Sequence, residues 1–406
     1  MPRAAGSGAP PQTWQQVGET LSRERVVAIS LDFSPDGVPA FAYGWNDFDR
    51  GTRIPVMEWD GERWIEVYHR TSQFPQSYAE FDFKAANNNY YLGLKISDRL
   101  GSVLNGGREW RGTYAFHNQL FDYQIDEPSG DMTMFWISEV ATGGGFPGTD
   151  NQLVAVRYAA EGWDSFPAGD AFGDLVEIDR QTPGTNSTVR GVSSLRIHKA
   201  GISNITAANG ETKQVQSYVA AWVNDGTVNV ATGSLEGGFA RQELPDTAAN
   251  TVNLAVGRVG LGSEFACIAY NPTDDLALEG EVRVACATEY GLGQWHRLGG
   301  VAIEAADVVD RLPVEIAITT DPFHTGRVFV GGRSALLPEQ LVVKWAQLPE
   351  EIQPASAATA EEWTAVDLLV EARISHFELG ASGENVYVVT SENSGQGLKV
   401  HQLQNA

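Results

Sequence analysis

Apolar and polar residues alternate with a period of two along most of this chain, in short runs separated by turn residues. The segments VVAISLDF (26–33), PAFAYGW (39–45) and RIPVMEW (53–59) set the pattern, with a turn at 34–37 after the first and Asp60-Gly61 after the third. Period-two alternation marks strands, and Asp-Gly between two of them marks a hairpin. The fourth segment of each group opens on a large aromatic residue: Trp64 (WIEVYH), Trp110 (WRGTYAF), Trp163 (WDSF), Phe239 (FARQEL), Trp295 (WHRLGG) and Trp363 (WTAVDLL). A seventh such phrase, at Trp14, stands at the start of the chain with no strands before it, while the last group (374–380, 385–391, 398–404) ends one strand short.

Successive phrases lie 46 to 76 residues apart, and the step from Trp363 through the C-terminus round to Trp14 is of the same size. Four short strands per repeat at this period predict a β-propeller. The expected fold is therefore all-β: a seven-bladed β-propeller of four-stranded antiparallel blades, closed by pairing of residues 14–21 beside 398–403 in the last blade. Residues 1–12 are expected to be a disordered or extended segment, and 13–406 one domain. Blade four is the least regular, with apparent insertions at 168–190 and 199–214. The tryptophans are expected to pack between blades.

The 43 glycines and 18 prolines are spread along the chain rather than pooled, as many tight turns require, and no Pro/Ser-rich linker divides it. Charge narrows the partners. There are 52 carboxylates against 28 basic side chains, only six of them lysine, for a net charge of −24. Such a surface repels phosphate backbones and anionic membranes, so no nucleic-acid partner is expected. No apolar run reaches 18 residues, so no transmembrane segment is expected. The N-terminal stretch MPRAAGSGAPP lacks the apolar core of a secretory signal. The expected location is cytoplasmic, or extracellular or periplasmic if a signal has been removed.

Candidate chemistry falls on one rim of the predicted ring, where second strands end and third strands begin. Blade one brings Trp45, Asp47, Asp49 and Arg50 there; blade two brings Arg99; the ends of outer strands bring His69, Arg70 and His117; and Asp274, Asp275 and Arg333 come from later blades. Aromatic faces beside hydrogen-bonding groups suit a sugar ring, with its apolar face and hydroxyl edge. Trp45, Asp47, Asp49, Arg50, Arg70 and Arg99 are thus the expected ligand-binding residues. No metal is expected, because adjacent carboxylates fall well short of a calcium shell, and no cofactor motif is present. The sialidase turn Ser-x-Asp-x-Gly-x-x-Trp is absent: Ser34-Pro35-Asp36-Gly37 is followed by Val38-Pro39.

The run His117-Asn118, the strand ending at Asp126 and the Gly turn after it resemble the equivalent blade of seven-bladed polysaccharide lyases that cleave uronate-containing glycans. The resemblance covers about twenty residues. That family carries a second His after the next strand, where this chain has Ser138-Glu139. The residues suit proton abstraction by His117, or alternatively His69, beside a uronate held by Arg70 or Arg99; the resemblance adds a lyase reading for the His117 strand alone. Two readings follow: a non-catalytic module binding a glycan or a protein partner, and, as the alternative, a uronate polysaccharide lyase.

Cys267 and Cys286, the only cysteines, fall on two strands of one hairpin at directly opposed positions. Their Cα atoms are expected ~4.5 to 5.5 Å apart, with both thiols reduced and packed as small apolar groups.

Overall fold

The chain builds its architecture from hairpins whose turns are fixed locally. A computed structural model describes residues 12–21, 26–33, 37–47, 51–71, 79–86, 89–96, 121–125, 132–141, 149–158, 176–180, 194–206, 209–224, 226–259, 263–272, 281–289, 294–304, 307–308, 314–319, 326–348, 363–392 and 397–404. Among them the regular elements are all β-strands, paired antiparallel.

In chain order, β1 (Thr13–Gln16) stands apart from the strands that follow it. Then β2 (Val26–Phe33), β3 (Pro39–Asp47), β4 (Gly51–Trp59) and β5 (Trp64–Thr71) form one four-stranded meander. A two-stranded sheet of β6 (Ala79–Ala86) and β7 (Asn89–Ile96) follows, then a meander of β8 (Phe121–Ile125), β9 (Met132–Ala141), β10 (Thr149–Tyr158) and β11 (Val176–Arg180). The next sheet joins two such units: β12 (Ser194–Thr206), β13 (Thr212–Asn224), β14 (Thr227–Ser234), β15 (Gly238–Val259), β16 (Ser263–Pro272), β17 (Arg283–Thr288) and β18 (His296–Arg297). The 22-residue β15 is the joint, last strand of one unit and first of the next. In the fifth sheet β19 (Glu315–Ile318), β20 (Arg327–Arg333) and β21 (Gln340–Gln347) are flanked by β22 (Thr364–Ala365) and β23 (Leu368–Leu369), which both pair with β21. The last strands are β24 (Ile374–Ser382), β25 (Asn385–Glu392) and β26 (Gly397–Gln404).

The turn 60–63 between β4 and β5 shows how sequence sets register. Asp60 Oδ1 accepts hydrogen bonds from the Glu62 and Arg63 amides at 2.9 and 2.8 Å. Gly61 adopts φ 101°, which favours glycine. These bonds stabilise the ionised carboxylate and hold its pKa below the usual range.

β1 pairs with β26, the segment expected beside it, with Trp14 opposite Leu403 and Gln16 opposite His401, continued by Val17 N–H to Val400 O (2.8 Å) and a reciprocal Leu21–Leu398 pair (2.9 and 2.8 Å). Three indole N–H groups anchor this segment. Trp64 of β5 donates to Val17 O at 2.9 Å, Trp345 of β21 donates to the Gln12 side chain at 2.9 Å, and Trp14 donates to Val366 O.

The core lies between neighbouring sheets, which is why central strands read as continuous apolar runs. In β25 every residue after Asn385 is buried. Phe41 and Trp64 pack with Tyr387, Val389 and Val400 in one cluster; Phe329, Leu341 and Trp14 pack with Val388 and Leu403 in the next. Phe265 and Cys267 meet Ile316 and Val330 in a third, and Val219 and Val230 meet Leu254 and Ile268 in a fourth. The first strands also adjoin in order: β2 lies against β6, β6 against β8, β8 against β12, β12 against β15, β15 against β19, β19 against β24, and β24 against β2.

Three sequence expectations change. The outer strand after β10 is β11, in the segment read as an insertion, rather than the phrase at Trp163; Trp163 and Trp110 lie outside the described residues. The second apparent insertion is the continuation of β12 and β13, which stay paired as far as Thr206 and Thr212 past a bulge at Lys199/Gly201. Cys267 and Cys286 are cross-strand partners as expected, but they form a disulfide, with Cα atoms 4.1 Å apart. The separation is shorter than the ~4.5 to 5.5 Å expected of cross-strand partners, and because the two sulfurs are bonded the reduced-thiol expectation is overturned.

Candidate functional site

Each sheet has an end at which its first strand begins, its second ends and its third begins. In the first meander this end carries Val26, Trp45 and Arg53, which are cross-strand partners, with Thr71 opposite Arg53. Asp47 pairs with Gly51 at the very edge, Arg70 sits opposite Ile54, and His69 opposite Pro55. The backbone thus gathers Trp45, Asp47, His69 and Arg70 at one end of one sheet. Asp49, Arg50, Arg99, His117, Asp274 and Asp275 lie outside the described residues.

The equivalent ends of later sheets hold a polar group that strand reasoning missed. Asn253 on β15 donates through Nδ2 to Glu315 Oε2 at 2.7 Å and to Val314 O at 2.9 Å. Arg196, near the start of β12, acts on the same carboxylate through its positive charge. Three first strands therefore contribute one group each: a cation, an amide and a carboxyl. Burial pushes the Glu315 carboxyl up to about 7, against the opposing pull of Arg196 and of the Asn253 hydrogen bond. Desolvation wins because Glu315 is only 8% exposed. A carboxyl poised near neutrality both donates and accepts hydrogen bonds, and passes protons without a large penalty either way.

A second polar group surrounds the ends of β25 and β26. Lys399 Nζ lies 3.1 Å from Glu392 and 3.2 Å from Glu371. Burial alone lowers the pKa of Lys399, but the two carboxylates more than offset it and the net shift is upward. His401, next along the same face, is held neutral, its pKa lowered to about 4 by burial and then by the Lys399 charge. Its Nε2 and the Glu392 Oε1 are buried with no hydrogen-bond partner. Arg333, at the end of β20, donates Nη1 to Ile374 O and Ser375 O at 3.1 and 3.2 Å, tying its sheet to the start of β24. Both of these hydrogen bonds go to backbone. In the adjoining unit Glu281 pairs with Arg283 on one buried strand edge.

The signal that marks these residues is a charged or amide side chain inside an otherwise apolar run: Asn253 in VNLAV, Glu315 in VEIAI, Lys399 and His401 in LKVHQL. Such residues are rarely buried unless paired.

No family model matches the chain, and no curated protein matches it. Among solved structures it is similar to the NanB sialidase of Streptococcus pneumoniae (7% identity, TM-score 0.41, covering 96% of this chain and 70% of that one). It is also similar to the six-bladed β-propeller fungal lectin of Aleuria aurantia (11%, 0.46, 95% and 93%) and to the Trypanosoma rangeli sialidase (10%, 0.43, 98% and 60%). Similarities of this size assign the chain to none of their families.

Proposed function

We propose that the chain is a seven-bladed β-propeller, its ring closed by β1 in the last blade, and that it is a non-catalytic module binding a glycan at the strand-end face. The order of contact among the seven first strands, returning from β24 to β2, supports the ring. One observation carries the function: Arg196, Asn253 and Glu315 converge from three first strands at the end of the sheets where Trp45, Asp47 and Arg70 also terminate. Arg196 is the half-buried member of the group, while Asn253 and Glu315 are buried against each other and shape the end of the sheets; a cation is one partner that sugar hydroxyls take, and an aromatic ring covers the apolar sugar face. Asp49, Arg50 and Arg99, expected at the same rim from the sequence, are included in this proposal. A protein partner is the other occupant of such a rim.

The second reading is a glycan-active enzyme, a uronate polysaccharide lyase using His117 or His69.

Glycan-array retention combined with an assay for unsaturated products at ultraviolet wavelengths tests both. Binding that falls at least tenfold in Arg196→Ala and in Trp45→Ala, with no turnover, is the expected result. Retention unchanged in both variants overturns the site, and turnover lost in His117→Ala replaces the binding reading with the enzyme.

A further inference from the structure

We propose that Asn204 is the acceptor of an N-linked oligosaccharide, and that the chain is therefore exported through a glycosylating, oxidising compartment. The inference is independent of what the strand-end face binds.

Asn204-Ile205-Thr206 fits the acceptor pattern Asn-x-Ser/Thr with x other than Pro, whereas Asn271-Pro272-Thr273 does not. The second matching triplet, Asn186-Ser187-Thr188, lies outside the described residues. A triplet becomes a site only where the amide is reachable, and here the fold supplies that. β14 pairs with β13 only from Tyr218 onward, so residues 201–206 and 212–217 run past the sheet as a two-stranded arm. Asn204 is exposed on this arm, opposite Gln214. It sits at the far end of β12 from Arg196, so a glycan there leaves the strand-end face clear.

Two further observations point the same way. The Cys267–Cys286 disulfide is fully buried, and such bonds form and persist in oxidising compartments, where acceptor triplets are also read. The arm also carries a liability that a glycan removes. Ile202 is 46% exposed, and alternation puts it on the face of β12 that bears Asn204. A bulky hydrated substituent beside Ile202 covers it.

In the transfer, Asn204 Nδ2 forms a bond to the anomeric carbon of a lipid-pyrophosphate-linked oligosaccharide. The bond from that carbon to the pyrophosphate oxygen breaks, the lipid pyrophosphate leaves with the electron pair, and Nδ2 loses one proton. The saccharide donor and its transferase belong to the compartment.

The test is peptide mapping of the full-length chain secreted by glycosylating eukaryotic cells, after peptide-N-glycosidase treatment in heavy-oxygen water. The expected result is heavy-oxygen aspartate at position 204 and one glycan mass lost from that peptide. Occupancy is expected to vanish in Thr206→Ala and to persist in Thr206→Ser. A secreted, disulfide-bonded chain with unmodified Asn204 overturns the proposal, and so does glycan confined to Asn186. The wild-type peptide alone decides, so a variant that fails to secrete does not remove the test.

Discussion

Glu315 and Gly18 show how much rests on single positions. The Glu315 carboxyl binds its proton up to about 7 in the fold, against an ordinary value of 4.5. Between those values the folded chain holds a proton that the unfolded chain has released, so stability falls as pH rises from 4.5 through about 7 and is level on either side. The gap corresponds to roughly 3 kcal/mol as a ceiling. Glu315→Gln keeps an acceptor for Asn253 and has no charge to bury. It is expected to match the wild type at pH 4 and to exceed it by about 2 kcal/mol at pH 8 in urea unfolding; equal stabilities at pH 8 would contradict the assigned cause. Gly18 is constrained by space as well as by its φ of 72°: an added Cβ would lie 2.6 Å from Trp59 Cζ3 and 3.0 Å from the Trp64 ring. Displacing Trp64 also breaks its bond to Val17 O. Gly18→Ala is expected to cost about 2 to 3 kcal/mol. Gly61→Ala, with φ 101° and nothing within 4 Å, is expected to cost only about 1 kcal/mol. Equal losses in thermal melts of the two variants would show that the Trp59–Trp64 contact adds nothing.

Among the elements, β1 has the largest consequence for its length. Four residues and the bonds that follow them cover the outer edge of β26; Trp14 donates to Val366 O, and Trp64 and Trp345 of neighbouring sheets donate to Val17 and Gln12. Deleting residues 1–21 exposes β26 as an edge strand and strips Trp14 from its cluster with Val366 and Leu403. The truncated chain is expected to associate on light scattering and to melt at least 5 °C lower; a monomer with unchanged melting would remove β1 from the account of stability. This pairing was legible because a lone Trp-led strand at one terminus matched a group lacking its fourth strand at the other. The register of Cys267 and Cys286 was legible because opposed hairpin residues lie symmetrically about their turn. The arm of β12 and β13 was not, since Ser203, Asn204, Thr206 and Thr212 through Gln214 are polar on both faces and alternation carries no signal where neither face is buried. β11 was missed because its hydrophobic content is two residues, Val176 and Ile178. The Arg196–Asn253–Glu315 group was not legible because these residues sit within first strands far apart in the chain and only tertiary packing brings them together.

At the scale of the whole molecule, a net charge of −24 sets a repulsion that no single contact shows. The described ion pairs divide by burial. Glu281–Arg283 and Glu392–Lys399 are shielded from solvent, while Asp60–Arg63 and Glu236–Lys213 each have one partner more than half exposed. Added salt weakens the exposed pairs, which contribute little to begin with, and leaves the buried pairs nearly untouched. It also screens repulsion among 52 carboxylates that only 28 cations oppose. The Debye length falls from about 30 Å at 0.01 M to about 3 Å at 1 M. The longer length, at low salt, spans several neighbouring strands, and the shorter, at high salt, barely reaches the next side chain. Unfolding moves like charges apart, so screening them stabilises the compact state more than the weakened surface pairs destabilise it. The melting temperature is therefore expected to rise by several degrees between 0.01 and 1 M sodium chloride at pH 8. Most of that rise is expected below about 0.3 M, where the Debye length changes fastest. A melting point that stays level or falls over that range would mean that attractive surface pairs, rather than the acidic excess, govern the electrostatics of the fold.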